Sequence, residues 1–179
     1  IAQGTRARNY HSGITWLEQA GLVTRVRRIS KPALPLCPYA DDSAFKLFLL
    51  DVGLLGSMAQ LDKGAVIGGS AVFEEFKGAL TEQYVCQQLI SEHGLTPYYW
   101  SAENSSGELD FLVQDENQVF AIEVKAEENL RSKSLRAFKE RNPWVNAVRF
   151  SMSGFRVQDW MRNVPLYAIG SREPWTSSS

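Results

Sequence analysis

The residues best suited to chemistry lie in two segments with alternating polarity, 108–114 and 119–125. An Asp- and Asn-containing stretch separates them, and such residues are typical of tight turns. This pattern favours a β-hairpin whose turn is centred between Glu116 and Asn117.

Antiparallel pairing about that centre places charged residues opposite each other near the open end of the hairpin. Asp110 then faces Glu123, and Glu108 faces Lys125. The predicted face of Asp110 also carries Leu112, Val119 and Ala121. The opposite face carries Leu109, Phe111, Val113, Phe120, Ile122 and Val124, so we expect it to pack against helices.

Two carboxylates that face each other across a strand pair repel each other, at a cost of about 0.2–1 kcal/mol. We therefore expect a positive charge near them. Lys125, two residues beyond Glu123, is one candidate, and a divalent cation is the other. Carboxylates about 5 Å apart across a sheet suit Mg²⁺, which prefers oxygen ligands and keeps several waters. The alternative is a solvated strand face, on which a Glu-x-Lys pattern is common.

A third acidic residue, Glu82, lies among apolar residues in the middle of a predicted amphipathic helix. If that helix packs across the sheet, Glu82 reaches the Asp110 site directly or through a water. A lone glutamate in such a helix otherwise points to solvent. The sequence leaves both interpretations open.

The order of predicted elements defines the scaffold of these residues. From Val72 onward, apolar periodicity predicts a helix, three strands, a helix and a strand. A glycine-containing stretch at 62–70 separates this region from a smaller N-terminal one. We therefore expect an α/β protein with a module at 1–62, a main domain at 70–171 and a tail at 172–179.

The N-terminal module follows the order helix, strand, proline-rich turn, strand, which is typical of a winged-helix arrangement. Its first predicted strand carries the local cationic cluster, Arg25, Arg27 and Arg28, followed by Lys31. These side chains could neutralise phosphates of a nucleic acid. A solvated strand face is the simpler interpretation.

Composition limits the class of protein. The 179 residues carry 19 Lys and Arg against 20 Asp and Glu, a net charge of −1, which excludes a polybasic nucleic-acid-binding tail. No apolar run is long enough to cross a bilayer, and Cys37 and Cys86 show no metal-binding spacing. These features favour a reducing, cytoplasmic setting without membrane contact. Because the sequence starts with Ile1, we expect it to be a fragment of a longer chain.

The acidic residues and their order resemble a known family. Glu82, the motif GELDF at 107–111 and the motif AIEVK at 121–125 resemble the PD-(D/E)XK nuclease superfamily, which includes Holliday-junction resolvases. The resemblance implies a restriction-endonuclease-like core. It also implies that Asp110 and Glu123 hold Mg²⁺ or Mn²⁺, that Lys125 orients or activates the attacking water, and that Glu82 completes the acidic set.

A narrower resemblance covers nearly the whole chain. The motifs WLEQAGLV at 16–23 and KLFLLDVGLL at 46–55, followed by the nuclease-like block, resemble the C-terminal DUF4143 region of prokaryotic AAA-type ATPases. This implies an ATPase domain upstream in the same chain. The sequence itself contains no GxxxxGK[ST] motif, so we expect no P-loop ATP site in it. Two functions stay open: Mg²⁺-dependent hydrolysis of DNA, or a non-catalytic module that binds DNA or protein and regulates the ATPase. The oligomeric state is left open.

Overall fold

The computed structural model of the chain describes residues 10–61, 71–102, 107–127 and 132–176. The helices in these ranges are α1 (His11–Gln19), α2 (Val52–Met58), α3 (Ala71–Ser91), α4 (Lys133–Arg141) and α5 (Glu173–Thr176). The strands are β1 (Val23–Ile29), β2 (Ala40–Leu49), β3 (Tyr98–Ser101), β4 (Glu108–Asp115), β5 (Gln118–Lys125), β6 (Asn146–Ser151), β7 (Arg156–Val157) and β8 (Arg162–Pro165). None of these helices is long and apolar enough to span a membrane.

The described strands form one mixed sheet in the order β2-β1-β3-β4-β5-β6-β8-β7. The predicted α/β class is therefore confirmed. The expected order of helix, three strands, helix and strand is that of α3, β3, β4, β5, α4 and β6. Strand β1 pairs in parallel with β3, so the N-terminal strands continue the sheet of the main domain. The predicted boundary at 62–70 lies outside the described residues.

The two faces of the sheet are buried by different helices. Phe111 and Ile122 belong to a buried cluster with Leu89 of α3. Leu112 belongs to a second buried cluster with Leu135 of α4. Because neighbouring residues of a strand point to opposite faces, α3 and α4 cover opposite sides of the sheet. Each such side chain contributes about 1.5–3 kcal/mol on full burial, so both faces stabilise the sheet.

Helix α1 ends as its sequence indicates. Gly21 adopts a left-handed conformation with φ of 71°. Its N–H donates to the carbonyl of Glu18, and the N–H of Leu22 donates to the carbonyl of Leu17, both at 2.9 Å. This pair of bonds is the Schellman motif, which satisfies the carbonyl groups at the end of a helix and here turns the chain into β1.

The hairpin β4–β5 has the predicted register. Its pairs run from Asp115 with Gln118 to Phe111 with Ile122. The predicted alternation beyond Phe111 is wrong, because β4 contains a bulge. Leu112 and Leu109 pair with residues of β3 that are only two apart, Tyr98 and Trp100, so β4 has one extra residue there.

The bulge changes the face of one core residue and marks the position of Asp110. Leu109, expected beside Phe111 and Val113, instead packs in the α4-side cluster with Leu112. Asp110 lies within the bulged stretch between Leu109 and Leu112. Bulges re-aim side chains and interrupt pairing, and both effects matter for the site described below.

The predicted C-terminal tail is partly folded. Trp175 in α5 is 1% exposed and contacts Phe120 and Phe150 edge-on, with ring centroids 5.2 and 6.0 Å away. It also meets the ring of His93 at 5.3 Å. Residues 172–176 therefore pack onto the domain, and residues 177–179 lie outside the described part.

Candidate functional site

Asp110 occupies the point where β4 and β5 stop pairing. Its Oδ2 accepts a hydrogen bond of 2.7 Å from the backbone N–H of Val124. The backbone pairs of the hairpin end at Phe111 and Ile122, so this carboxylate takes the place of the next ladder bond. The bulge thus converts a predicted cross-strand neighbour of Glu123 into a group that bonds to the partner strand.

The ionisation of Asp110 is strongly perturbed. Burial, followed by the negative charge of Glu82, raises the pKa of Asp110 from its ordinary 3.8 to about 7. The hydrogen bond from Val124 and the positive charge of Lys46 oppose this shift, and Glu123 adds to it weakly. Strong pKa perturbation by burial and specific neighbours is characteristic of functional sites.

Glu123 and Lys125 form an ion pair on β5. Their closest atoms, Glu123 Oε1 and Lys125 Nζ, are 3.0 Å apart. The Glu123 residue is only 7% exposed. Its other carboxylate oxygen, Oε2, is buried and accepts no hydrogen bond in the described part of the chain. A buried carboxylate oxygen without a partner costs free energy unless something binds it.

Glu82 reaches the same region from α3. It is partly buried, and burial raises its pKa although Lys46 and Lys125 oppose the rise. Glu108 raises the pKa of Glu82 further. Glu82 also raises the pKa of Asp110, so α3 brings Glu82 into the electrostatic environment of the two strands.

Lys46 is a member of this group that sequence reasoning missed. Its Nζ makes an ion pair with Glu108 Oε1, and it lies 5.2 Å from the centre of the Tyr99 ring. Burial works against the charged form, but the hydrogen bond and charge of Glu108, with Glu82 and Asp110, raise the pKa of Lys46. Glu108, expected opposite Lys125, is therefore held by a lysine from β2.

One weak signal pointed to Lys46. In β2, Leu47 is 42% exposed and Phe48 is 7% exposed. Lys46 shares its side of the strand with buried Phe48, since residues two apart point the same way. A lysine on the buried side of a strand needs a carboxylate partner, and this requirement could have identified it.

Gln83 holds β2, and with it Lys46, against α3. Its Nε2 donates to the carbonyl oxygen of Leu49 at 2.8 Å, and its Oε1 accepts from the N–H of Leu49 at 2.9 Å. The side chain is 3% exposed. One turn later, Gln87 Oε1 accepts from the N–H of Val52 at 3.1 Å. The chain therefore docks the N-terminal strand on α3 immediately beside Glu82.

These side chains form a cluster, hereafter the acidic site, with more negative than positive groups. Its carboxylates are Glu82, Glu108, Asp110 and Glu123, and its ammonium groups are Lys46 and Lys125. Within the described ranges, no three His, Cys, Asp or Glu side chains are close enough together to surround a metal ion. Mg²⁺ often uses only one or two protein carboxylates, with waters and substrate oxygens as its other ligands.

The predicted pair Asp110 and Glu123 is compatible with that mode of binding. Glu123 Oε2 is buried without a hydrogen bond in the described part of the chain, and Asp110 lies in a region of surplus negative charge. Both groups are hard oxygen donors, the type that Mg²⁺ and Mn²⁺ prefer. The donor set therefore fits a divalent cation.

The predicted nucleic-acid cluster is organised differently. Arg25 lies 2.6 Å from Glu18. Arg27 lies 2.7 Å from Asp42. Arg28 lies 2.6 Å from Asp41, and the pKa of Asp41 falls to about 2 through hydrogen bonds from Ser43 and Arg28. Lys31 lies 5.9 Å from the centre of the Tyr39 ring. Each arginine of this cluster thus has a local acidic partner.

Comparison with known proteins gives a family but no described function. Residues 77–169 match the model of a domain of unknown function, DUF4143. Residues 1–65 match the model of a second domain of unknown function, DUF8612. No curated protein matches the chain, and no solved structure matches it. The DUF4143 match contains every residue of the acidic site except Lys46, which lies in the DUF8612 match. It covers more than half of the sequence, so the chain belongs to the DUF4143 family.

Proposed function

We propose that this chain is a nuclease-like domain of the PD-(D/E)XK type that hydrolyses phosphodiester bonds of DNA with Mg²⁺ or Mn²⁺. The observation that carries the proposal is that Asp110 interacts electrostatically with both Glu82 and Glu123, while Glu123 pairs with Lys125 through Oε1 and keeps Oε2 buried and unbonded in the described part of the chain.

The topology supports the proposal. The resemblance to PD-(D/E)XK nucleases implies a core of helix, three strands, helix and strand, and this is the order from α3 to β6. Strands β3, β4, β5 and β6 are also neighbours in the sheet, in that order. The acidic residues lie on α3, β4 and β5, the elements on which the resemblance expects them.

The roles of the side chains follow from their positions. Asp110 and Glu123 would hold the metal ion, and metal binding would displace the proton that Asp110 retains near neutral pH. The bound ion lowers the pKa of a coordinated water and offsets negative charge on a phosphoryl group. Lys125, 3.0 Å from Glu123, would orient the attacking water and stabilise the developing charge.

Glu82 and Lys46 would complete the charge balance. Glu82 raises the pKa of Asp110, and the charge of Lys125 lowers the pKa of Glu82. Glu82 would therefore be placed to accept a hydrogen bond from an attacking or metal-bound water. Lys46 supplies positive charge to the acidic site from the N-terminal strands. A site without bound metal would be stabilised by this lysine.

The wider context is also part of the proposal. By the resemblance, this chain would be the C-terminal part of a prokaryotic AAA-type ATPase in the cytoplasm, with ATP bound upstream. In that setting the ATPase would act on the same DNA that the acidic site cuts. The arginine cluster of β1 is a weaker candidate for DNA contact, because Arg25, Arg27 and Arg28 already have acidic partners.

The test is cleavage of single-stranded, duplex and branched DNA by the 179-residue chain with Mg²⁺ or Mn²⁺. We expect wild type to cut at least one substrate, and Asp110→Asn, Glu123→Gln and Lys125→Met each to lower the rate by about 10²-fold or more. Glu116→Gln is the matched control, since Glu116 is an exposed acid at the other end of the same hairpin.

Calorimetry with Mg²⁺ and Mn²⁺ separates metal binding from cleavage. We expect wild type and Glu116→Gln to bind the ion, and Glu123→Gln to lose binding. If wild type neither cuts DNA nor binds either ion, the nuclease proposal is wrong. The non-catalytic binding module is then the remaining function for this chain.

A further inference from the structure

The outer edge of the sheet carries an apolar groove at β7, three strands away from β5. Its volume is about 540 Å³, which lies within the roughly 300–1,000 Å³ typical of ligand clefts. Its apolar lining consists of Phe155, Val157, Pro165, Tyr167, Ala168 and Pro174. Arg162 and Glu173 also line it. This set is hereafter the β7 groove.

The β7 groove lies on the face of the sheet that α3 covers. Val157 pairs with Arg162 across β7 and β8, so both side chains point to the same face. Val164, two residues beyond Arg162, belongs to the buried cluster that contains Leu89 of α3. The start of α5 completes the lining.

The backbone of β7 is open on its outer side. No described strand pairs with that side, because β7 is the last strand in the order of the sheet. The N–H of Gln158 donates to the carbonyl of Met161 at 2.9 Å, so these two residues form a hydrogen-bonded pair. Bonded and non-bonded pairs alternate along an antiparallel ladder, so the next pair, Val157 with Arg162, is non-bonded. The N–H and carbonyl of Val157 therefore point away from β8, where an added strand can bind them.

The side chains at this edge are mostly apolar. Phe155 and Val157 are 54% and 55% exposed, and Tyr167, which also lines the groove, is 85% exposed. Open edges are usually protected by charged residues or proline, whereas Arg156 is the single charged residue in the segment 155–157. An unpaired edge beside an apolar groove is what β-strand addition requires. In that mode, backbone bonds provide affinity and pockets for alternate side chains provide specificity.

Arg156 discriminates between possible occupants of the edge. It is exposed, and it points to the other face of β7 because it lies between Phe155 and Val157. If a second copy of this chain paired antiparallel with the same edge, the two Arg156 side chains would lie opposite or diagonal to each other and repel. An acidic side chain at that position would instead attract Arg156. The charge therefore favours a strand in which an acidic residue alternates with apolar ones.

We propose that the β7 groove binds an extended segment of a partner protein, which adds a strand to the open edge of β7. Two apolar side chains of that segment, two residues apart, lie in the groove, and the acidic residue between them pairs with Arg156. Backbone hydrogen bonds to Val157 fix the register. The proposal does not depend on the proposed function, because none of these residues belongs to the acidic site.

The test is an NMR titration of the isotope-labelled chain with a short synthetic peptide in which aspartate alternates with valine and phenylalanine. We expect the amide shifts of wild type to be confined to β7 and the lining of the groove. Phe155→Ser should weaken binding about fivefold or more, because it removes apolar contact area. Leu50→Ser is the matched control, since Leu50 is also 54% exposed and follows β2, the strand at the opposite edge of the sheet.

A charge exchange tests the role of Arg156. Arg156→Glu should weaken binding of the aspartate peptide about fivefold, and it should strengthen binding of a peptide that has lysine in place of aspartate. Equal binding of the two peptides to wild type would overturn the acidic character of the partner. A peptide with N-methylated amide groups cannot donate backbone hydrogen bonds, so we expect it not to bind. Binding equal to that of the unmethylated peptide would overturn strand addition.

Three further results would overturn the groove as a docking site for a partner. One is the absence of amide shifts in wild type, and another is equal weakening by Phe155→Ser and Leu50→Ser. The third is self-association of wild type in sedimentation analysis that Phe155→Ser abolishes, which would make a second copy the occupant. Asp110→Asn should leave peptide binding unchanged, so failure of the nuclease proposal and failure of this one give different results.

Discussion

Charge is arranged in opposite ways on β1 and at the acidic site. On β1, Arg25, Arg27 and Arg28 each lie within 2.7 Å of a separate carboxylate. At the acidic site, four carboxylates lie among two lysines and beside Arg149, which acts on Glu123. One oxygen of Glu123 is buried without a hydrogen bond in the described part of the chain. The paired region has its charges satisfied within the fold. The acidic site is left with a surplus that a cation would remove, which is why the two regions differ in expected function although both are rich in charge.

The largest effect is expected for Asp110→Asn in metal-free buffer, where it changes the free energy of unfolding. Because the folded protein keeps Asp110 protonated up to about pH 7 and the unfolded chain ionises it near 3.8, the folded state binds more protons between these values. Its stability therefore falls as pH rises through that window. Asparagine removes the penalty, so we expect a gain in the free energy of unfolding that grows from near zero at pH 4 to about 2–4 kcal/mol at pH 8.

Urea unfolding of both proteins at several pH values, with EDTA, measures this gain. Asp42→Asn is the control from the paired region, since it removes an acid that is 83% exposed and bonded to Arg27. We expect that control to lose less than about 1 kcal/mol at neutral pH. A loss of stability for Asp110→Asn at pH 8 would contradict a surplus of negative charge at this position.

The second test breaks the contact that brings Lys46 to the acidic site. Gln83→Leu leaves the N–H and carbonyl of Leu49 without their side-chain partner, at a cost of about 1–3 kcal/mol in the free energy of unfolding. Gln88→Leu on the same helix is the control, because its side chain makes no hydrogen bond to the described residues. Equal losses in the two variants would mean that the Gln83 contact does not dock β2.

The sequence predicted those parts of the site that depend on local rules. The hairpin register follows from strict alternation on both sides of a short turn, and the pairs from Phe111 with Ile122 to Asp115 with Gln118 match it. The bulge that holds Asp110 was not predictable from the hairpin alone, because β4 meets a third strand, β3, with a different spacing.

Long-range partners were harder to predict for a similar reason. Lys46 and Glu108 are 62 residues apart, and their contact depends on β2 and β1 joining the sheet beside β3. No local pattern specifies that neighbour. Arg149 was missed because an arginine in an apolar strand resembles an exposed position until its partner Asn163, on β8, is known.

The third test replaces the lysine that offsets part of the negative surplus. Lys46→Met removes a positive charge that interacts electrostatically with Glu82 and Asp110. We expect Mg²⁺ to bind about fivefold more tightly, a change of roughly 1 kcal/mol, because the ion then meets less repulsion. Calorimetry measures the affinity, and Lys133→Met, at the exposed start of α4, is the control. Unchanged or weaker Mg²⁺ binding would mean that the charge of Lys46 does not repel the bound ion.

The smallest effect is expected where charges are already paired. Arg27 and Asp42 are 37% and 83% exposed, so water and salt ions compete for both groups. Replacing Arg27 with Gln should change the free energy of unfolding by less than about 0.5 kcal/mol. It should also change the affinity for duplex DNA less than twofold, because Asp42 already neutralises Arg27. Fluorescence anisotropy of wild type and Arg27→Gln across a salt series measures this change. A loss of affinity larger than that would show that nucleic acid displaces Asp42, and β1 would then be the interface that its arginines first suggested.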